Sequence, residues 1–313
     1  MAKLMSKKTR ETVTTSVVLA VIILFVIFYI IYPLVRVGDI TSRPIPEDEN
    51  GDAIEFVMNN DPAYFIENGF SPDTFSMITD DNIQLAALYF APDSTRFDSI
   101  SSTAILLHDI DGDRTSLKDY IQPLLDMGMA VVIYDQRACG FSGGEYHTPG
   151  IYESDDLNQL LAHLKIRDKI FDPVICIGFG LGGDAALNAS RTENKIGAII
   201  AIDPYLSSSR WMRLLKEKAG LFSIPFSNAV YFYWYQKISG YPIERGSADD
   251  IIPVEAKTII YVSPEYITDD EILQIRDNSA DFITIRELPV ENDSLVNGII
   301  ESVRLFNNQI TAK

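Results

Sequence analysis

Between Glu11 and Arg36 the chain carries no charge, and Val17 to Val35 reads VVLAVIILFVIFYIIYPLV, almost wholly apolar. A bilayer core about 30 Å thick needs roughly 20 such residues in a helix that rises about 1.5 Å per residue. The pattern predicts a membrane-spanning helix over 16–35, behind a basic tail at 1–15. A cleaved signal peptide fits less well. Its apolar core runs to about 7–15 residues before a small-x-small site, and Ile30-Ile31-Tyr32-Pro33 offers no such site. From Arg36 the pattern turns Pro- and acid-rich (RPIPEDENGD), which reads as a linker over 36–60.

The rest, 61–313, shows no repeat and no second linker, and reads as one domain. Phe75–Thr79 and Gln84–Phe90 predict a hairpin about the Asp80-Asp81-Asn82 turn. Apolar runs then predict strands at Thr103–Leu107, Ala130–Tyr134, Val174–Ile177, Ile196–Ile202, Thr258–Val262 and Phe282–Glu287. Amphipathic stretches between them predict helices near Ser116–Met127, Ser154–Leu164, Asp184–Arg191, Ser207–Ile238, Asp269–Asp277 and Ser294–Asn307. A hairpin followed by unbroken strand–helix alternation defines an α/β class: a mostly parallel sheet covered on both faces.

Charge narrows the function. With 26 basic and 44 acidic residues the net charge is −18, and such an acidic chain lacks the basic face a nucleic-acid partner requires. The first 15 residues carry Lys3, Lys7, Lys8 and Arg10 against Glu11, and Asp39, Glu47, Asp48 and Glu49 follow the apolar run. The positive-inside rule puts the N-terminus in the cytosol and the domain outside, on a single-pass signal-anchor. An acidic domain is repelled by anionic headgroups, so close docking on the membrane is not its expected mode. Cys139 and Cys176 make no disulfide framework, and neither zinc spacing nor a metal cluster occurs. The histidines are His108, His147 and His163 alone.

Three strand-end loops carry the candidate chemistry. The first is Ile105-Leu106-Leu107-His108-Asp109-Ile110-Asp111-Gly112; the second is Asp135-Gln136-Arg137-Ala138-Cys139-Gly140-Phe141-Ser142-Gly143-Gly144. The third, Gly178-Phe179-Gly180-Leu181-Gly182-Gly183, stands between a strand and a helix. In that order and spacing they resemble the α/β-hydrolase superfamily, in its membrane-anchored, serine-aminopeptidase-like esterase branch. The resemblance runs from about Gly69 to Phe306. It implies an α/β-hydrolase fold, an oxyanion loop at His108 and Asp109 completed by Leu181, a nucleophile elbow at Gly180, and a helical cap over about 205–250.

The departures from the family matter more. A working member attacks with a Ser, deprotonates it with a His and orients the His with an Asp. Here the elbow holds Gly180, the acid position aligns with Ile267 (Asp269 if the register slips by two), and the His position holds Glu291. No histidine follows His163, so the base is missing in any register. Loss of the nucleophile from a Ser-His-Asp triad costs about 10⁶-fold in rate. Asp109 also puts a carboxylate where the family welcomes an anion. The expectation is a pseudoenzyme with no intact catalytic set, no cofactor and a binding or scaffolding role.

Two other readings stand beside it. One is a residual or re-invented esterase or peptidase in which Asp184 or Glu291 acts on water. The other takes Gly178-x-Gly180-x-x-Gly183, with Asp203 some 20 residues on, as a dinucleotide fingerprint of an oxidoreductase. His108 is expected to brace its loop, His147 to be a solvated loop residue, and Asp135 and Arg137 to make structural ion pairs. The aromatic stretch with Phe222, Phe226, Tyr231 and Trp234 reads as cap packing, or as the place where an apolar small molecule or protein partner would bind.

Overall fold

The computed structural model describes residues 7–42, 61–190, 196–220, 227–242, 256–263, 283–289 and 291–311. They divide into two compact units, one made of the chain up to 41 together with 212–243, the other of 42–211 with 244–313.

In the first unit, α1 (Lys7–Val26), one π-helical turn (Ile27–Ile31) and α2 (Tyr32–Thr41) run on as one helix. The Tyr32 N–H bonds the carbonyl of Ile27, five residues back. Pro33 explains the wide turn, because it has no N–H to give and its ring crowds the carbonyl four residues before it. The stretch Lys8–Thr41 is long and apolar enough to cross a membrane, and Val17 to Phe25 are exposed. The helix outruns the expected span, so the first residues of the expected linker, Arg36 to Thr41, are helical. Packing is the reason. Pro33, Val37 and Thr41 form a buried stripe at four-residue spacing, and α2 lies along helix α8 (Ser227–Ser239). The long helix expected over Ser207–Ile238 is two, α7 (Ser208–Lys218) and α8. Gly220, at φ +62°, ends α7 in the left-handed conformation that suits glycine at a helix C-terminus.

The second unit is built on eight strands: β1 (Asp73–Ile78), β2 (Gln84–Phe90), β3 (Thr103–Leu107), β4 (Ala130–Tyr134), β5 (Val174–Phe179), β6 (Ile196–Ile202), β7 (Lys257–Val262) and β8 (Ile283–Glu287). Their order across the sheet is β1-β2-β4-β3-β5-β6-β7-β8. The hairpin β1–β2 and its junction with β4 are antiparallel; every pairing from β4 to β8 is parallel. Strands β3 and β4 are buried along their whole length, as continuous apolar runs in a doubly covered sheet must be. Ile105 and Leu107 face one core with α5 (Ile151–Ile166) and α6 (Leu181–Ala189). Ala104 and Leu106 face the other, filled by Phe65 of α3 (Asp61–Glu67), by α4 (Lys118–Leu125) and by α9 (Asn292–Thr311). The helix expected at Asp269–Asp277 lies outside the described residues.

Candidate functional site

The carboxyl ends of β3 and β5, adjacent at the centre of the sheet, bring the first and third loops together. In open α/β sheets this is where sites form. The chain leaves β5 through Gly180 at φ +48°, ψ −113°, a backbone shape that costs most residues 1–3 kcal/mol or about that and glycine very little. The turn is held by Gly180 N–H to Ile202 carbonyl (2.8 Å) and by Gly183 N–H to Gly180 carbonyl (3.0 Å). It delivers α6 directly under β3. A Cβ on Gly182 would stand 2.6 Å from the Leu107 carbonyl oxygen, so only glycine lets the helix approach that strand.

Asp109 closes this turn. Its Oδ1 accepts from its neighbour Ile110 N–H (2.7 Å), from Leu181 N–H (2.9 Å) and from the Tyr205 hydroxyl (3.2 Å). One of these amides belongs to the loop after β3 and the other to the residue that follows Gly180. They hold the chain's own carboxylate. Leu181 also opens α6, where the helix end favours negative charge, and Gly180 has no side chain to cap that helix. Any Cβ at position 180 would overlap the Asp109 carboxyl group. A side chain at position 180 and the Asp109 carboxyl group would thus compete for one space.

The surrounding polar groups are bound into the scaffold. His108 is fully buried; its Nε2 accepts from Gln136 N–H (3.0 Å), and its Nδ1 lies 2.6 Å from the Asp109 carbonyl oxygen. Those partners assign a neutral ring protonated at Nδ1. Asp184 accepts from the Tyr205 and Leu206 N–H groups at 2.9 and 2.8 Å. Burial raises its carboxyl to about 7, and the charge of Asp109 pushes the same way against those two N–H bonds. Asp203 accepts from the Ser263 N–H and hydroxyl, each at 2.6 Å.

The second loop is tied down by charge. Asp135 accepts from Arg114 N–H and Phe141 N–H, both at 2.9 Å. Arg137, 1% exposed, makes a two-pronged pair with buried Asp156 (2.8 and 2.6 Å) and reaches Asp81 at 2.9 Å. Burial works against the charge, but the fork-on-carboxylate bonds to Asp156 outweigh it and hold the guanidinium protonated well above its ordinary range. Nearby Glu153 is wholly buried, accepts from Thr148 N–H and hydroxyl, and is raised by burial to about 7.

Several expected residues fall elsewhere. Ile267, Asp269, Phe222 and Phe226 lie outside the described residues. Glu291 is exposed just ahead of α9. Tyr231 is buried within its own unit and Trp234 is half-buried. His147, expected in solvent, is completely buried: its loop folds inward, and its Nε2 lies 3.7 Å from the Cys139 sulfur. Cys139 is itself 2% exposed and directs its thiol also at the Ile110 carbonyl (3.8 Å). Tyr205 was not anticipated; a lone tyrosine after a strand carries no motif. Among the described residues no three His, Cys, Asp or Glu side chains gather for a metal.

Comparison with solved structures defines the fold. The chain is similar to an esterase, Pf2001, of Pyrococcus furiosus, at a TM-score of 0.57 and 18% identity, over 76% of this chain and 94% of that one. It is similar to Est1E of Butyrivibrio proteoclasticus, solved with ferulic acid (0.57, 16%, 76% and 100%). It is also similar to XC6422 of Xanthomonas campestris, a serine hydrolase without a lid (0.52, 14%, 76% and 94%). The fold is that of the α/β hydrolases. No family model matches the sequence. In sequence the chain is 34% identical over 86 residues to the uncharacterized protein YqkD of Bacillus subtilis; the match spans 28% of each chain.

Proposed function

We propose that this chain is a membrane-anchored α/β-hydrolase-fold protein that does not perform acyl transfer and acts by binding or scaffolding, with its acidic domain on the extracytoplasmic side. The observation that carries this reading is the Asp109 carboxylate, hydrogen-bonded to Ile110 and Leu181 in the space a nucleophile side chain would need. An oxyanion hole works by offering unpaired donors to charge that develops in the transition state. These donors are already paired with a full negative charge, which repels a second one. Gly180 has no atom with which to attack, and no histidine follows His163.

The same geometry weighs against the alternatives. Asp184 has both oxygens committed to backbone N–H groups and is not placed to activate water. A dinucleotide would set its pyrophosphate where the Asp109 carboxylate sits, and Asp203, the would-be ribose ligand, is bound to Ser263. One observation favours a residual hydrolase: the Cys139–His147 contact is a thiol beside an imidazole, though both groups are sealed from solvent.

The test uses the full chain in nanodiscs, treated with a fluorophosphonate and with iodoacetamide, and assayed on short-chain nitrophenyl esters. The reading expects no labelling of the folded protein by either reagent and ester turnover equal to empty nanodiscs. Stoichiometric fluorophosphonate labelling would overturn it; labelling at Cys139 accompanied by turnover would replace it with the thiol mechanism.

A further inference from the structure

The two units differ sharply in charge. The unit made of 1–41 and 212–243 holds nine basic and three acidic residues, a net of +6, of which +3 belongs to the tail ahead of the span and +3 to Arg36, Asp39 and 212–243 beyond it; the rest of the chain carries −24. Within 212–243 the balance is Arg213, Lys216, Lys218 and Lys237 against Glu217, and α8 with the residues after it to Pro242 contains no acid. This same segment is crowded with amphipathic aromatics.

Their placement is specific. Helix α8 packs along α2 and touches the π turn at Ile27–Ile31, whose residues belong to the apolar run ending at Val35. Tyr231 and Tyr235 point inward and are buried. The outer side carries a connected group: Tyr233, 53% exposed, edge-on to Trp234 with ring centres 5.1 Å apart, and Lys237 with its Nζ 5.8 Å from the Tyr233 ring centre. Ala229, Gln236 and Gly240 continue that exposed face.

From this we infer that α8 is an interfacial helix: its Tyr233–Trp234–Lys237 face lies in the headgroup layer of the bilayer that α1 crosses, at the Val35 end of the span. The occupant of this face is the lipid surface itself. If the apolar run from Val17 to Val35 fills the hydrocarbon core, a helix packed along Tyr32–Thr41 and touching Ile27–Ile31 stands at the Val35 edge of that core, with part of its length in the adjoining interface. Tyrosine and tryptophan bodies bury in that layer while their polar edges stay wet. A lysine there keeps its stem in the apolar zone and its ammonium at the phosphates. The exposed Arg213 and Lys237 attract anionic headgroups that the acidic remainder of the chain repels, while Lys216 is buried against Asn228. The sequence-level expectation of an outer domain held off the membrane therefore applies to the sheet unit and not to α8.

The inference rests on the reading that the first helix spans a membrane, and the experiment separates the two. The chain has two tryptophans, Trp211 and Trp234, and Trp211 is fully buried. The full chain and its Trp234→Phe variant are reconstituted in vesicles of equal parts phosphatidylcholine and phosphatidylglycerol, with bromine placed either just below the headgroup or deep in the acyl chain. The difference between the two emissions reports Trp234. The expected result is loss of most of that difference signal with shallow bromine, little loss with deep bromine, and a loss unaffected by protein-to-lipid ratio. A difference signal unaffected by shallow bromine overturns the inference, as does protection that grows with protein density, which would assign the face to a second copy. Carbonate extraction reads the span on its own: a chain that is released refutes span and inference together, while a retained chain with unquenched Trp234 refutes only the interfacial helix. Neither outcome bears on the fluorophosphonate assay.

Discussion

The loop after β4 and the elbow after β5 sit on strands of one sheet, and they differ in what their charges hold. After β4, Asp135 and Arg137 meet partners that belong to the scaffold: Arg114 and Phe141 for one, Asp156 and Asp81 for the other. The Asp135 and Arg137 charges are thus taken up by partners within the scaffold. At the elbow the Ile110 and Leu181 amides meet a carboxylate, Asp109, that belongs to the loop of the neighbouring strand. The loop after β4 is closed by pairs between charged side chains, and the turn after β5 by one carboxylate on backbone amides. The strained turn after β5 is thus held by a glycine and an internal carboxylate that satisfy the same backbone.

The comparison breaks most visibly at Arg137. Arg137→Met leaves buried Asp156 without its partner, and removal of one member of a buried ion pair typically costs about 3–5 kcal/mol. The expected result is a large fall in the midpoint of thermal unfolding of the detergent-solubilised full chain. The double variant Arg137→Met, Asp156→Leu should recover much of the loss, since an apolar pair of similar volume replaces a buried ion pair at little cost. No recovery would mean that the pair's reach to Asp81, rather than the burial of its charge, sets the stability of the loop.

Gly180→Ser probes the elbow and is the next largest effect. The new side chain meets the Asp109 carboxyl group and takes on a positive φ, for an expected loss of about 1–3 kcal/mol. Removal of the obstacle in Gly180→Ser, Asp109→Gly should be less destabilising than the two single changes summed, because residues that share one space couple in a double-mutant cycle. Ester turnover should stay at background in all three variants, for want of a base. A gain of turnover in the double variant would show that the plug alone had silenced the site.

How far the chain could be read follows from where the information lies. Buried parallel strands are uninterrupted apolar runs, so Thr103–Leu107, Ala130–Tyr134 and Ile196–Ile202 are legible to the residue. Gly180 and Asp109 are each visible as departures from a motif. Their meeting is not visible, because it joins positions 71 residues apart through loop geometry that no local pattern encodes. The helical run from Arg36 to Thr41 was obscured for another reason. A glycine, two charges and the acidic, proline-rich stretch beyond them outweigh Val37 and Thr41, whose burial depends on a partner, α8, almost 200 residues away. His147 misled in the same sense: a Gly- and Pro-flanked histidine looks solvated until Cys139 closes over it.

The smallest predicted effect sharpens the elbow most directly, because it reads the charge of Asp109 through its neighbour. Asp184 stays protonated in the folded chain up to about pH 7, whereas an aspartate in an unfolded chain loses its proton near 3.9. Across that window the folded state holds more protons, so the stability this group contributes is complete below about pH 4 and declines as pH rises toward 7. Asp109→Asn keeps an oxygen for the Leu181 and Ile110 amides but removes the negative charge that raises Asp184. Burial, the larger cause, is untouched. The Asp184 carboxyl should therefore titrate lower in the variant by a fraction of a unit, worth about 1 kcal/mol or less, and the decline in stability between pH 4 and 7 should become shallower. Difference infrared spectroscopy of the protonated carboxyl band, with Asp184→Asn to assign it, measures the shift. An unchanged titration would mean that the Asp109 charge does not reach Asp184, and the group held by the Ile110 and Leu181 amides would then act as a neutral hydrogen-bonded cap.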